Sequence, residues 1–167
     1  CKFKPRSYQV EGVYDALRHN RKLLISPTAS GKSLMIYSIV RYFVEKGKNT
    51  LIVVPTTSLV EQMYKDFADY GWDVGSFCHK IYAGKERETD SQVIITTWQS
   101  IYKLPRKYFE RFSVVIGDEA HQFKSKSLVS IMTKLADAKY RYGFTGTLDG
   151  TQTHKWVLEG LFGPSYK

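Results

Sequence analysis

The apolar residues of this chain form short continuous runs with little in-and-out alternation. Runs of strand length cover residues 22–26, 50–55, 80–83, 92–97, 113–118 and 140–145. Continuous Val, Ile and Leu are typical of strands that are buried on both faces, as in a parallel sheet. We therefore expect a mostly parallel sheet with helices on both sides, which is a three-layer α/β domain.

Helical periodicity fills several of the intervals between these runs. The pattern predicts helices over residues 32–45, 58–70 and 127–137, and a further helix over residues 6–18 before the first strand. Apolar positions on these helices recur every three or four residues, as packing on a sheet requires. They include Leu34, Ile36, Ile39, Val40 and Phe43 in the second helix of the chain, and Leu128, Ile131, Met132 and Leu135 in the last.

Composition excludes several classes of protein. At 167 residues the chain is long enough for one domain with a substantial core. No apolar run approaches the roughly 20 residues of a membrane span, and the first residues lack the apolar centre of a signal peptide. Cys1 and Cys78 have no metal-ligand spacing and do not make a disulfide framework, so we expect both to be inert. These features favour a soluble protein of the cytoplasm.

The chain carries an excess of basic residues, with 25 Lys and Arg against 16 Asp and Glu and a net charge of +9. An excess of this size favours a polyanionic partner such as nucleic acid. A well-solvated basic surface without such a partner is the alternative, and composition does not separate the two. The basic residues are scattered, so folding has to assemble any basic face.

Residues 26–33 read SPTASGKS and lie between the first predicted strand and the helix that follows it. The segment is similar to the phosphate-binding pattern G-x-x-x-x-G-K-[ST], with Ser26 in the position of the first glycine. In open α/β sheets, ligands bind at the carboxyl ends of the strands, where this segment lies. Backbone amides at a helix start attract phosphate, and Gly31 would let the backbone approach it closely.

Two side chains complete the predicted phosphate site. Lys32 is expected to neutralise the β- and γ-phosphates, and the Ser33 hydroxyl is expected to ligate Mg²⁺. The predicted nucleotide-binding residues of the loop are Pro27, Thr28, Ala29, Ser30, Gly31, Lys32 and Ser33. The alternative is a serine-capped helix start that carries an ordinary surface lysine.

A second motif lies at the end of the fifth predicted strand, where residues 113–121 read SVVIGDEAH. ATP hydrolysis needs one carboxylate for the Mg²⁺ and another to orient the attacking water. We assign Asp118 to the metal, together with Ser33, and Glu119 to the general base. With Lys32 they form the predicted catalytic set, and ATP and Mg²⁺ are the predicted cofactors. A strand followed by a merely acidic turn is the alternative.

DEAH at residues 118–121, together with PTASGKS, resembles the superfamily 2 helicases and translocases, whose first RecA-like domain carries both motifs in this order. Further segments resemble motifs of the same superfamily, namely RSYQ (6–9), VVPTTSLVEQ (53–62), TTWQSI (96–101) and FTGTL (144–148). The set is most similar to phage repair and recombination helicases, with restriction-enzyme motor subunits and excision-repair helicases as neighbours. In this superfamily the position of Ser26 is often alanine or serine.

The resemblance implies roles for residues outside the phosphate loop. The nucleotide site would also include an adenine-recognition motif made of Arg6, Tyr8 and Gln9. In this motif Gln9 would read the edge of the adenine, and Tyr8 would provide a stacking surface. Contacts with the nucleic-acid backbone would come from Pro55, Thr56, Thr57, Thr97 and Gln99. Coupling of ATP hydrolysis to strand movement would involve His121, Thr145 and Thr147. Thr56 and Thr57 have the alternative role of capping the second predicted helix after the loop, which is compatible with phosphate contact.

The resemblance also implies an architecture. Superfamily 2 motors bind ATP between two RecA-like domains, so residues 1–167 are expected to be the first of these domains in a longer protein. Residues 1–20 would be its adenine-recognition region. The second domain would supply an arginine finger, which is worth about 10³–10⁵ in rate in other phosphoryl-transfer systems. Alone, the chain is expected to bind ATP weakly and to hydrolyse it slowly.

The implied function is ATP-driven movement on DNA that remodels branched or forked structures in recombination, repair or replication. DNA, with RNA as the alternative, would be contacted through its phosphates by a monomeric protein in the cytoplasm, or in the host cytoplasm if a phage encodes it. Other candidates are a restriction-type DNA translocase subunit, an RNA helicase and a noncatalytic nucleic-acid-binding module. A small-molecule kinase would need an acceptor pocket and a lid, for which the sequence offers no candidate.

Overall fold

The structure is a computed structural model that describes residues 21–25, 29–82, 90–119, 125–135, 138–145 and 165–166. For residues 21–25, 29–30, 125, 128 and 165–166 the description concerns the backbone alone. The elements, in chain order, are β1 (Arg21–Ile25), α1 (Ala29–Glu45), β2 (Thr50–Val54), α2 (Thr57–Asp69), α3 (Val74–Phe77), β3 (Cys78–Ile81), β4 (Val93–Thr97), α4 (Trp98–Ile101), α5 (Arg106–Phe109), β5 (Val114–Gly117), α6 (Ser125–Lys134), β6 (Tyr140–Thr145) and β7 (Ser165–Tyr166).

The described strands form one sheet in the order β3-β4-β2-β5-β6-β1-β7, and each neighbouring pair is parallel. The central strands β2, β4 and β5 are buried over their whole length. Their register places Ile52 of β2 beside Ile95 of β4 on one side and Ile116 of β5 on the other. The predicted α/β domain with a parallel sheet is thus confirmed.

Strand β2 contributes to two separate cores, because successive side chains of a strand point to opposite faces. Ile52 packs in the cluster that contains Ile39 of α1 and Phe67 of α2. Leu51, the preceding residue, packs in the other cluster, with Ile131 of α6. The sheet therefore separates two helical layers, α1 and α2 on one face and α4 to α6 on the other.

Helix α1 is buried on nearly all of its surface over residues 31–40. Its predicted apolar positions are all buried, and so are Lys32 and Ser33 in its first turns. A helix that is buried all round lies in the interior of a domain rather than at its surface. Helix α1 has 17 residues, and no helix in the described part of the chain is long and apolar enough to cross a membrane.

Several boundaries differ from those predicted. Helix α1 begins at Ala29, three residues earlier than expected, because Ala29 and Ser30 are compatible with helical geometry. Strand β3 begins at Cys78 rather than at residue 80, because its pairing with Val93 of β4 defines the start. The four-residue helices α3, α4 and α5 and the two-residue strand β7 are too short for periodicity to indicate. The helix predicted over residues 6–18 lies outside the described residues.

The thiol of Cys78 is buried at the start of β3. Burial raises the pKa of this thiol to about 12, so it is neutral at pH 7 and is a poor nucleophile. The expectation that this cysteine is inert agrees with its surroundings, while Cys1 lies outside the described residues.

Substitutions at two residues of α6 test which face of this helix packs on the sheet. Ile131 is 0% exposed, whereas Val129 is 41% exposed. Ile131→Ala should lower the free energy of unfolding by about 2–4 kcal/mol, because it removes buried methyl groups and leaves a cavity. Val129→Ala should change it by less than about 0.5 kcal/mol. Urea unfolding followed by circular dichroism measures both, and equal losses would contradict the packing.

Candidate nucleotide-binding site

The predicted site lies where helix α1 begins and strand β5 ends. Asp118 directly follows β5, and its backbone N–H donates to the carbonyl oxygen of Val53 in β2, 2.9 Å away. Lys32 is the fourth residue of α1, which follows β1. Because β1 and β5 are parallel and separated by β6 alone, Lys32 and the two acidic residues meet at the same edge of the sheet.

Lys32 forms ion pairs with both acidic residues of the second motif. Its Nζ atom lies 3.1 Å from Oδ1 of Asp118 and is also paired with Oε1 of Glu119. Lys32 is 7% exposed and Asp118 is 3% exposed, so water screens their attraction weakly. This burial excludes the alternative of an ordinary surface lysine. Since one ammonium faces two carboxylates, the position between them strongly favours a cation.

Glu119 differs from Asp118 in backbone conformation and in exposure. Its φ of 53° lies in the left-handed region, which costs a non-glycine residue about 1–2 kcal/mol. Its side chain is 16% exposed, against 4% for that of Asp118, so it is the carboxylate that water can reach. Strained backbone of this kind is concentrated at functional sites. These properties suit a general base better than a metal ligand.

The hydroxyl of Ser33 lies in a hydrogen-bond network between α1 and α2. It donates to Oδ2 of Asp66 at 2.9 Å and accepts a hydrogen bond from the hydroxyl of Tyr70 at 3.2 Å. Nε2 of Gln62 donates to the other carboxylate oxygen of Asp66 at 2.8 Å. Burial raises the pKa of Tyr70, so this phenol is protonated at pH 7 and can act as the donor.

Asp66 and Tyr70 are absent from the site predicted by sequence. Together with Gln62 they recur every four positions, which places the three side chains on one face of a helix. That spacing was the available signal, and it indicates a shared face without indicating what the face contacts. The packing of α2 against α1 decides that the partner is Ser33.

The oxygen atoms of this site fit Mg²⁺ bound together with a nucleotide. The described residues contain no group of three or more His, Cys, Asp or Glu side chains that could hold a metal by themselves. Mg²⁺ bound with phosphates does not need such a group, because it takes one or two protein ligands plus phosphate and water oxygens. The carboxylate of Asp118, which has a cation 3.1 Å away, and the hydroxyl of Ser33 are ligands of the right type.

Two of the predicted nucleic-acid segments meet at the carboxyl edge of the sheet. Nε2 of Gln99 donates to the carbonyl oxygen of Pro55 at 3.3 Å, which joins the start of α4 to the turn before α2. Thr56 is the N-cap of α2, and its hydroxyl accepts from the N–H of Leu59 at 3.2 Å. The capping role of Thr56 is thus confirmed, and Thr56, Thr57 and Gln99 are exposed.

Thr97 and Thr145 are buried at the ends of their strands. The hydroxyl of Thr97 is hydrogen-bonded to that of Ser100 at 2.7 Å, so Thr97 supports the turn into α4 instead of presenting its hydroxyl at the surface. Thr145 ends β6 and pairs with Ile25 of β1. Since β6 lies between β5 and β1, Thr145 is placed between the strands that lead into the two motifs.

The remaining predicted residues are described in part or not at all. Gly31 is buried within α1, and Ala29 and Ser30 belong to the same helix by their backbone. The residues that lie outside the described part of the chain are Arg6, Tyr8, Gln9, Pro27, Thr28, His121 and Thr147.

The fold and the paired motifs are those of the RecA-like domains of superfamily 2 helicases and translocases. Residues 2–150 match the family described as type III restriction enzyme, res subunit, and the chain belongs to this family. It is 34% identical over 172 residues to the ATP-dependent DNA helicase UvsW of Enterobacteria phage T4. This match covers 99% of this chain and 34% of the relative. The predicted resemblance to a phage helicase is confirmed.

Other known proteins agree with this assignment. The DNA 3'-5' translocase XPB2 of Sulfurisphaera tokodaii is 32% identical, over 98% of this chain and 35% of its own length. The crystal structure of the bacteriophage T4 UvsW helicase superposes with a TM-score of 0.88 at 34% identity, over 99% of this chain and 60% of that one. The chain therefore spans about a third of the length of these curated relatives.

Replacement of Lys32 tests the electrostatics of the site. Lys32→Met should lower the free energy of unfolding by about 3 kcal/mol, because it leaves two neighbouring carboxylates, one of them deeply buried, without their cation. Lys65→Met is the matched control, since Lys65 is exposed and its pair with Asp69 spans 3.7 Å, and it should cost less than about 1 kcal/mol. Urea unfolding measures both, and equal effects would refute a buried ion cluster.

Proposed function

We propose that the chain is the ATP-binding motor domain of an ATP-dependent DNA helicase or translocase that remodels branched or forked DNA. The observation that carries the proposal is the buried contact of Lys32 with Asp118 and Glu119 at the carboxyl edge of the sheet. The relatives support the choice of polymer, since one is named a DNA helicase and another a DNA translocase. Recombination, repair or replication is the proposed setting.

The residues proposed to act on ATP and its metal, Lys32, Asp118 and Glu119, are joined by ion pairs in the structure. Lys32 would turn from Asp118 and Glu119 toward the phosphate oxygens, because its three N–H donors have to be shared among these acceptors. Mg²⁺, held by Ser33 and Asp118, would supply the charge that stabilises the transferring phosphoryl group. With Lys32 turned toward the phosphates, Glu119 would accept a proton from the attacking water. Backbone amides of residues 27–33 would hold the phosphates.

The rest of the nucleotide site would come from residues 1–20 and from a second domain. Within residues 1–20, Gln9 would read the adenine edge beside Arg6 and Tyr8. A second RecA-like domain in a longer protein would complete the site with an arginine finger. The length of the T4 relative supports this architecture, because the chain accounts for 34% of it.

Coupling between hydrolysis and movement is assigned to His121, Thr145 and Thr147. The position of Thr145 supports this assignment, since it ends the strand between β5 and β1 and is fully buried. A displacement at either motif would therefore be transmitted to it by direct strand pairing.

The proposed nucleic-acid track runs along the carboxyl edge of the sheet. Thr56, Thr57 and Gln99 would contact phosphates. Pro55 and Thr97, the other two residues predicted to contact the nucleic acid, are buried, and we propose that they support the two turns instead. Contacts of this kind position a protein on the polymer and carry no sequence information directly. We propose that the protein acts on DNA as a monomer in the cytoplasm, or in the host cytoplasm if a phage encodes it, and RNA is the alternative polymer.

A restriction-type DNA translocase subunit is the second candidate, because the matched family is described as the res subunit of a type III restriction enzyme. Both candidates share the ATP site and the track along DNA, but they differ in what happens to the duplex. Release of a labelled strand from forked DNA by the longer protein supports a helicase. Displacement of a triplex-forming strand from an intact duplex supports a translocase.

Nucleotide binding to the 167-residue chain tests the proposed ATP site. A fluorescent ATP analogue with Mg²⁺ should bind, and Lys32→Ala should weaken binding about tenfold or more, because a charge-assisted contact with phosphate is lost. Lys65→Ala should leave it unchanged. If Lys32→Ala bound the ATP analogue as tightly as the parent chain does, the proposed ATP site would be contradicted. Fast DNA-stimulated hydrolysis by this chain, abolished by Lys32→Ala, would contradict the need for a second domain.

The proposed track can be tested by placing a negative charge on it. Gln99→Glu should weaken binding of labelled single-stranded DNA about fivefold at low salt, because the new carboxylate faces phosphates, and the difference should shrink as salt rises. Ser76→Glu is the matched control, since Ser76 is exposed in α3 and precedes β3, at the opposite edge of the sheet. Fluorescence anisotropy gives both affinities. Equal losses of DNA affinity in the two variants would show that Gln99 does not contact the DNA.

A further inference from the structure

We propose that Asp66 is a positioning residue that, with Tyr70, orients the hydroxyl of Ser33 for Mg²⁺. The inference rests on the proposed function, since it deepens the assignment of Ser33 as a metal ligand. Its basis is the geometry between α1 and α2, where the Ser33 hydroxyl donates to Asp66 at 2.9 Å and accepts from Tyr70 at 3.2 Å.

The bonding capacity of a hydroxyl explains why two contacts are enough to orient it. A serine hydroxyl has one proton to donate and two lone pairs with which to accept. In Ser33 the proton is given to Asp66 and one lone pair is used by Tyr70, which leaves one lone pair for a further partner. Asp66 and Tyr70 thus fix the rotation of the hydroxyl and determine which direction this lone pair takes.

Asp66 is itself held in place, which an orienting residue has to be. Its second carboxylate oxygen accepts from Gln62, one turn earlier on α2, at 2.8 Å. Tyr70 is held by its ring, whose centroid lies 5.0 Å from that of the buried Tyr37 in α1. Both orienting groups therefore belong to the packed interface of α1 and α2 and not to freely rotating side chains.

The charge of Asp66 adds to this orientation. A carboxylate that accepts the proton of a hydroxyl makes the oxygen of that hydroxyl more electron-rich, and therefore a better ligand for a cation. Carboxylates that hydrogen-bond to metal ligands in this way tune many metal sites, and their removal costs about 10–100-fold in metal affinity or activity. A hydroxyl is a weak ligand of Mg²⁺, so Ser33 gains more from such support than a carboxylate would.

Nucleotide binding at varied Mg²⁺ concentration tests the inference. In the 167-residue chain, Asp66→Ala should raise the Mg²⁺ concentration that half-maximally enhances binding of a fluorescent ATP analogue by about tenfold. Binding in EDTA should be unchanged, because the phosphate contacts do not involve Asp66. Asp66→Asn should have a smaller effect, since its amide oxygen still accepts from Ser33. Asp69→Ala, on the exposed side of the same helix, should leave the Mg²⁺ dependence as it is in the parent chain.

A double substitution separates positioning from a general structural effect. If Asp66 acts through Ser33, adding Asp66→Ala to Ser33→Ala should not raise the required Mg²⁺ concentration further. Tyr70→Phe keeps the ring and removes the donated hydrogen bond, and it should shift the Mg²⁺ dependence in the same direction by a smaller factor. If Asp66→Ala fails to fold, Asp66→Asn and Tyr70→Phe carry the test.

The outcomes distinguish this inference from the proposed function. Mg²⁺-dependent binding that is the same in the parent chain and in the Asp66 and Tyr70 variants overturns the inference alone. Additive effects of Ser33→Ala and Asp66→Ala also overturn it, because they show that Asp66 acts elsewhere. Binding that does not depend on Mg²⁺ or on Lys32 overturns the proposed function and this inference with it.

Discussion

The interaction on which the site depends is the buried contact between one ammonium and two carboxylates. Lys32 and Asp118 would each be costly to bury alone, because the interior solvates charge poorly. They are tolerated because they meet each other, and the apolar layers on either side of the sheet provide the stability that brings them together. A position between carboxylates that already holds one cation is electrostatically suited to another, which is consistent with the proposed binding of Mg²⁺ there.

The strand order explains how residues far apart in the chain reach that position. Strand β6 separates β1 from β5, and the phosphate motif and the acidic motif follow β1 and β5 in the sequence. Strand β2, on the other side of β5, fixes Asp118 through a backbone hydrogen bond from its N–H to Val53. The same edge continues through Pro55 to Gln99, so the ATP site and the proposed DNA track share one rim of the sheet.

Much of this arrangement could be predicted, and the exceptions have a common physical cause. Strands such as β2 and β5 are recognisable because burial on both faces favours continuous apolar residues, and the meeting of Lys32 with Asp118 follows from two motifs in one parallel sheet. The contact of Ser33 with Asp66 could not be predicted, because it depends on how α2 packs against α1 through aromatic rings such as those of Tyr37 and Phe67. The burial of Thr97 likewise depends on a turn whose direction the pattern does not reveal.

Helix α2 extends over 13 residues, or about 20 Å, as one stiff rod. One end begins at the Thr56 cap on the rim that faces the proposed polymer, and Asp66, near the other end, is bonded to the hydroxyl of Ser33. A displacement of the capped end would be carried along the helix to Asp66, since a helix resists stretching. Helix α2 would in this way connect a strand bound at the proposed track with the hydroxyl of Ser33.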